Sequence, residues 1–194
     1  PAPTPMCFMN RFGLRLLLAA TLAAPWLAHA APGAVVTTPQ VRAELVAHAP
    51  DGVAAGQPLW LGLKIEHQPH WHTYWKNPGD SGLPTTLQWT LPEGVKAGEI
   101  EWPTPRRLPI GPLVNHGYEG KLLLPVRVDV PAGFAADMLP VKLRAEWLVC
   151  KDVCIPESGE FALELPARSA WSAQAADFEA AFAAKPQPLS GATA

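Results

Sequence analysis

Residues 141–154 read Val-Lys-Leu-Arg-Ala-Glu-Trp-Leu-Val-Cys-Lys-Asp-Val-Cys, and the first seven alternate apolar and charged without a break. Val141, Leu143, Ala145 and Trp147 share one side of an extended chain, and Lys142, Arg144 and Glu146 share the other. A period of two marks a β-strand with one buried face. The same period recurs in both directions. Leu59, Leu61, Leu63 and Ile65 oppose Lys64 and Glu66; Leu124, Val126, Val128 and Val130 alternate with Pro125, Arg127 and Asp129; Phe161, Leu163 and Leu165 alternate with Ala162 and Glu164. Val41–Ala47, Thr85–Thr90 and Ile100–Trp102 are weaker candidates, so the pattern predicts about seven short strands.

Turn chemistry lies between the runs: Asp51-Gly52, Pro92-Glu93-Gly94, Pro131-Ala132-Gly133 and Glu157-Ser158-Gly159. Glycine and proline supply the backbone angles that a reversal needs. A strand with one apolar face must hide that face, so two sheets stack. The expected fold is all-β, an immunoglobulin-like β-sandwich over residues 31–167. Ser169–Ala184 is Ala-rich, with Trp171, Phe178 and Phe182 at roughly helical spacing, and Lys185–Ala194 has a linker composition. Residues 168–194 therefore read as a short C-terminal helix and a linker.

Composition agrees. Of 194 residues, 48% are hydrophobic and 16% charged, enough apolar material for a core. Proline numbers 23, a density that breaks helices and excludes a mostly helical fold. Lys and Arg total 15 against 17 Asp and Glu. Without a basic excess to neutralise phosphates, nucleic-acid binding is excluded.

The first 30 residues read as an export signal. Arg11 and Arg15 precede the apolar run Leu16–Ala24, and Ala28-His29-Ala30 fits a small-x-small cleavage site. The run is too short to span a bilayer, and Pro25 interrupts its end. Residues 1–8 read as an extension upstream of the start at Met9. Cleavage removes Cys7 and leaves Cys150 and Cys154. Two cysteines in an oxidising compartment are expected to form a disulfide.

Three residues between the cysteines suit a tight hairpin-like reversal. Closing so small a ring gains little from loop entropy, so a staple meant for stability would join distant strands instead. A small ring at a sheet end suits reduction and exchange. Spacing alone divides evenly between that role and a structural disulfide in a binding or chaperone module. Lys151 favours a thiolate and Asp152 opposes it.

Cys150-Lys-Asp-Val-Cys154-Ile-Pro156-Glu157, with His70-Trp-His-Thr-Tyr-Trp-Lys-Asn-Pro-Gly-Asp-Ser-Gly82 and Asn115-His-Gly-Tyr118-Glu-Gly120 upstream, carries a resemblance. Three such segments, in this order, resemble the N-terminal periplasmic domain of the DsbD family of thiol:disulfide interchange proteins, its suppressor-of-copper-sensitivity (ScsB) branch included. The likeness covers about residues 35–167, and the family's domain is immunoglobulin-like. It implies a protein-disulfide reductase that relays electrons in the periplasm. Such a domain takes reducing equivalents from a membrane electron-transfer domain, here expected beyond residue 194 and anchoring the protein to the inner membrane. It passes them to thioredoxin-fold proteins. Cytochrome c biogenesis and copper tolerance are the implied settings, and no cofactor is implied. By the family pattern Cys150 and Cys154 are the redox pair, with Cys154 the attacker and Cys150 the resolver. His116, Gly117, Tyr118 and Glu119 match a cap loop whose aromatic residue, Tyr118, shields the disulfide. Lys151, Asp152 and Pro156 are the supporting neighbours. The best-known members hold their cysteines further apart than the three residues found here.

Other residues have plainer readings. His67, His70, His72 and His116 are irregularly spaced for a copper site, although imidazole and thiolate are competent ligands. A copper-handling domain is therefore a minor alternative, and no metal is assigned. His70 and His72 are expected around a turn leading into Trp71 and Trp75. Asn77–Gly82 reads as a plain turn, because it lacks the lysine of a phosphate loop. The tryptophans read as packing residues. Asp80 and Glu119 read as loop charges.

Overall fold

The computed structural model describes residues 33–187. The expected leader and the end of the tail lie outside them. Two antiparallel sheets face one another across a core. The first is built from β1 (Val35–Thr37), β2 (Val41–His48), β3 (Leu59–His67), β9 (Lys121–Asp129) and β6 (Lys96–Ile100), in that order. The second runs β11 (Cys154–Pro166), β10 (Met138–Cys150), β4 (His72–Gly79), β8 (Leu113–Glu119) and β7 (Arg106–Ile110). A sixth strand, β5 (Thr86–Thr90), pairs with the lower half of β10. The fold is the predicted all-β, immunoglobulin-like sandwich.

The alternating residues behave as their period requires. Leu139, Val141, Leu143, Ala145, Trp147 and Val149 of β10 are buried. They meet Leu59, Leu61, Leu63 and Ile65 of β3 and Leu122, Leu124 and Val128 of β9 in one core cluster. Each such Val, Leu or Ile side chain gains ~1.5–3 kcal/mol from leaving water.

The strand count exceeds the sequence estimate. β1, β4, β7 and β8 were not expected, and β6 lies earlier than Ile100–Trp102. Lacking clean alternation, they owe their extended form to sheet pairing. Glu157-Ser158-Gly159, expected as a turn, lies inside β11. There Ala145 opposes Gly159, and a β-carbon on that glycine would stand 2.7 Å from the Phe161 ring. Glycine is present there to admit a neighbouring ring.

The C-terminal segment is also more than a linker. Trp171 lies outside the helix, in a two-way backbone bridge with Ala49. The helix, α1 (Ala175–Ala183), covers the outer face of the first sheet. Phe178 and Ala181 pack with Val46 and Leu123, and Trp60 and Phe182 close the edge. Gly62 makes room: a β-carbon there would lie 2.8 Å from Leu123 and 3.4 Å from Phe178. Lys64 pairs with Asp177 at 2.7 Å, and Lys185 pairs with Glu101. The sandwich and α1 fall in one compact unit.

Phe178 is fully buried. Phe178→Ala is therefore expected to cost ~3–5 kcal/mol of stability. A urea titration checks this, and a loss under about 1 kcal/mol would contradict the helix's role.

Candidate functional site

β10 and β11 pair residue for residue from Met138–Pro166 to Cys150–Cys154, and the two cysteines close the ladder. They are joined as a disulfide, with Cα atoms 4.1 Å apart. Lys151, Asp152 and Val153 form the exposed turn, in which Lys151 N–H donates to the Val153 carbonyl. The two sulfurs lie in different surroundings. Cys150 is 1% exposed, whereas Cys154 is an exposed residue. Cys154 is thus the accessible residue of the pair.

Pairing extends the row sideways. Cys150 lies opposite His72 of β4, and His72 lies opposite Glu119 of β8. Directly opposed residues project to the same face of a sheet. Cys154, Cys150, His72 and Glu119 therefore form one line across four strands on the outer face. Trp147 and Val149 belong to the inner, core face.

Two expectations are corrected by this register. His116–Glu119 is strand, not a cap loop. Tyr118 is the cross-strand partner of Thr73 and belongs to the core cluster. Its hydroxyl donates to the Pro103 carbonyl at 2.7 Å, and burial pushes its phenol far up. It points to the side away from the disulfide, one position from the face a shield would occupy. His116 shares that inward side, 6.4 Å from the Trp75 ring centre. Gly117 falls opposite Tyr74, where a β-carbon would meet the Thr73 carbonyl. Of the four, Glu119 shares the cysteines' face as a charged side chain.

His72, expected near a turn, is buried in β4. Tyr74, two residues on, shares its face and was not singled out in the sequence. The Tyr74 hydroxyl lies 3.3 Å from His72 Nε2 and 3.9 Å from Cys154 Sγ. Burial lowers His72, with Glu119 opposing part of the effect. Burial raises the Tyr74 phenol, and the Asn115 side chain partly offsets it.

The segment read as a plain turn covers this tyrosine. Gly79 and Gly82 both have positive φ, which glycine permits. A β-carbon on Gly82 would sit 2.3 Å from the Tyr74 ring. The loop is tied to β8 by polar bonds. Asp80 accepts from Val114 N–H at 2.7 Å, and Asn115 accepts from Ser81 N–H at 3.0 Å and donates to Ser81 Oγ at 2.9 Å.

Grooves flank the disulfide hairpin. On one side Leu83, Pro84, Leu148 and Pro156 line an open apolar groove of about 570 Å³. Leu83 is 64% exposed. On the other, His70, Arg106, Arg107 and Lys151 line a mainly cationic one that includes His72 and Glu119. Lys151 and Pro156 thus stand on opposite flanks, while Asp152 stays at the turn. Among the described residues no group of three or more His, Cys, Asp or Glu side chains is gathered as a metal-ligand set.

Residues 42–166 match the family model described as thiol:disulfide interchange protein DsbD, N-terminal. The fold is similar to the solved N-terminal periplasmic domain of ScsB from Proteus mirabilis, with a TM-score of 0.58 and 20% identity. That likeness covers 78% of this chain and 58% of the solved one, so the chain spans less than two thirds of it. No curated protein matches the chain. No described helix is long and apolar enough to cross a membrane.

The nearby histidine His67 generates a pH prediction. Its Nδ1–H donates to the Gly120 carbonyl at 2.7 Å, leaving Nε2 to accept from Thr73 Oγ1 at 3.0 Å. Burial lowers its pKa below 6.5, and His72 is lowered likewise. The unfolded chain therefore takes up these protons first as pH falls. Their stabilising contribution is complete above about 6.5 and is lost below it, down through the folded values. Thermal unfolding at pH 7 and pH 5 should show a larger loss for the native protein than for His67→Gln. Equal losses would contradict this.

Proposed function

The chain belongs to the family of N-terminal domains of the thiol:disulfide interchange protein DsbD, and on that premise we propose that it is a periplasmic domain relaying electrons by thiol exchange. The observation that carries this reading is the asymmetry of the pair. An exposed Cys154 sits beside a buried Cys150, at the tip of a hairpin with grooves on both flanks.

The reduced domain holds two thiols. The Cys154 thiolate attacks the disulfide of a thioredoxin-fold protein, forming a bond to one partner sulfur and releasing the other as a thiolate. Cys150 then attacks Cys154 Sγ, restoring the internal disulfide and expelling the first partner sulfur. Two electrons and two protons pass to the partner, which leaves as a dithiol. A membrane domain's dithiol reduces Cys150–Cys154 for the next cycle. The domain itself supplies access at one sulfur and protection at the other.

The roles predict a trapping asymmetry. Reduced Cys150→Ser, mixed with an oxidised thioredoxin-fold protein, should accumulate a mixed disulfide through Cys154. Cys154→Ser should leave little or none. Non-reducing electrophoresis and mass spectrometry read the outcome. Absence of adduct from both variants, or trapping through Cys150 alone, would overturn the assignment.

A further inference from the structure

Tyr74 is placed unlike a packing residue. Tyr74 is 1% exposed with its ring covered by Gly82, yet its hydroxyl has as neighbours an imidazole nitrogen and the sulfur of Cys154. A phenylalanine would fill the same space. The extra oxygen completes a chain from Cys154 Sγ through Tyr74 to His72 Nε2, and His72 lies opposite Glu119. His72 is 5% exposed. We propose that Tyr74 is a catalytic residue of the exchange and His72 its positioning partner, together removing the Cys154 proton and holding the resulting thiolate. The inference rests on thiol exchange at Cys154.

The proton accounting is closed. The Cys154 thiol gives its proton to the Tyr74 oxygen as Tyr74 gives its own to His72 Nε2, in the Nδ1–H tautomer. A neutral thiol and imidazole become a thiolate and an imidazolium, and no electron moves. The thiolate pair then forms the bond to the partner's sulfur, and the displaced partner sulfur takes up the imidazolium proton. His72 next receives the proton of Cys150, its cross-strand neighbour, and passes it to the second partner sulfur. Both thiol protons end on the partner, beside the two electrons. Glu119, facing His72 from the adjacent β8, favours the imidazolium, as opposite charges in a partly buried site do. His67 and the groove's cationic Arg106, Arg107 and Lys151 oppose it, and Lys151 also favours the thiolate directly.

The test is the pH profile of Cys154 alkylation by iodoacetamide, read by mass spectrometry on the Cys154 peptide in the Cys150→Ser protein. Tyr74→Phe should raise the midpoint of the profile by about one unit and slow alkylation at pH 7 about threefold, because the thiolate becomes scarcer but more nucleophilic. The rate on the alkaline plateau should not fall, because all of the sulfur is thiolate there. His72→Asn should shift the midpoint the same way. Glu119→Gln, at an exposed position, should shift it less, and it keeps the test open where Tyr74→Phe fails to fold. Profiles that superimpose on the parent for the folded variants would overturn the inference. A normal mixed disulfide with superimposed profiles would overturn this inference alone. Shifted profiles without any mixed disulfide would overturn the relay and leave the Tyr74–His72 pair standing.

Discussion

Thirteen consecutive cross-strand pairs between β10 and β11 hold the site in place. The ladder begins deep in the sandwich, where Leu139, Val141, Leu143 and Leu165 are buried, and ends in a reversal of three residues. Cys150 and Cys154 are its last pair, so their approach follows from the register of the whole hairpin. Slipping the register by one residue would move every side chain of a strand to the opposite face. Burial of the inner face forbids the slip, and the core thereby fixes the geometry of two sulfurs at the rim.

The same alternation divides the second sheet into two chemistries. Inward positions carry Trp147, Val149, Thr73 and Tyr118. Outward positions at the rim carry Cys150, Cys154, His72, Tyr74 and Glu119. An outer face would ordinarily be wet, yet the loop Gly79–Pro84 lies over Tyr74 and keeps it dry. Tyr118, to which the family resemblance gave the covering role, is held to the Pro103 carbonyl on the other side of the sheet.

Much of the scaffold could be read from the residues, because β3, β9, β10 and β11 carry their period in plain view. The cysteine pair was equally visible as a short hairpin. The strands that assemble the site were not. β4 reads His-Thr-Tyr-Trp-Lys-Asn-Pro-Gly and β8 reads Leu-Val-Asn-His-Gly-Tyr-Glu, with no alternation and several turn-forming residues. Both of their neighbours in the sheet stabilise them, which no local pattern reveals. Tyr74 was missed for this reason. The i, i+2 spacing of His72 and Tyr74 was the available signal, but it places them together only once β4 is known to be extended. Their position beside Cys154 depends on the pairing of Cys150 with His72, a contact between distant parts of the chain.

One cysteine of the hairpin is exposed and the other buried, an arrangement that the proposed exchange at Cys154 would use. A bond serving only as a brace would need neither feature. The reduction potential of the Cys150–Cys154 couple, equilibrated against graded thiol–disulfide buffers, distinguishes the two most directly. Electron relay predicts a potential above about −300 mV, within reach of periplasmic partners. A value well below that would mark a structural bond and contradict the account.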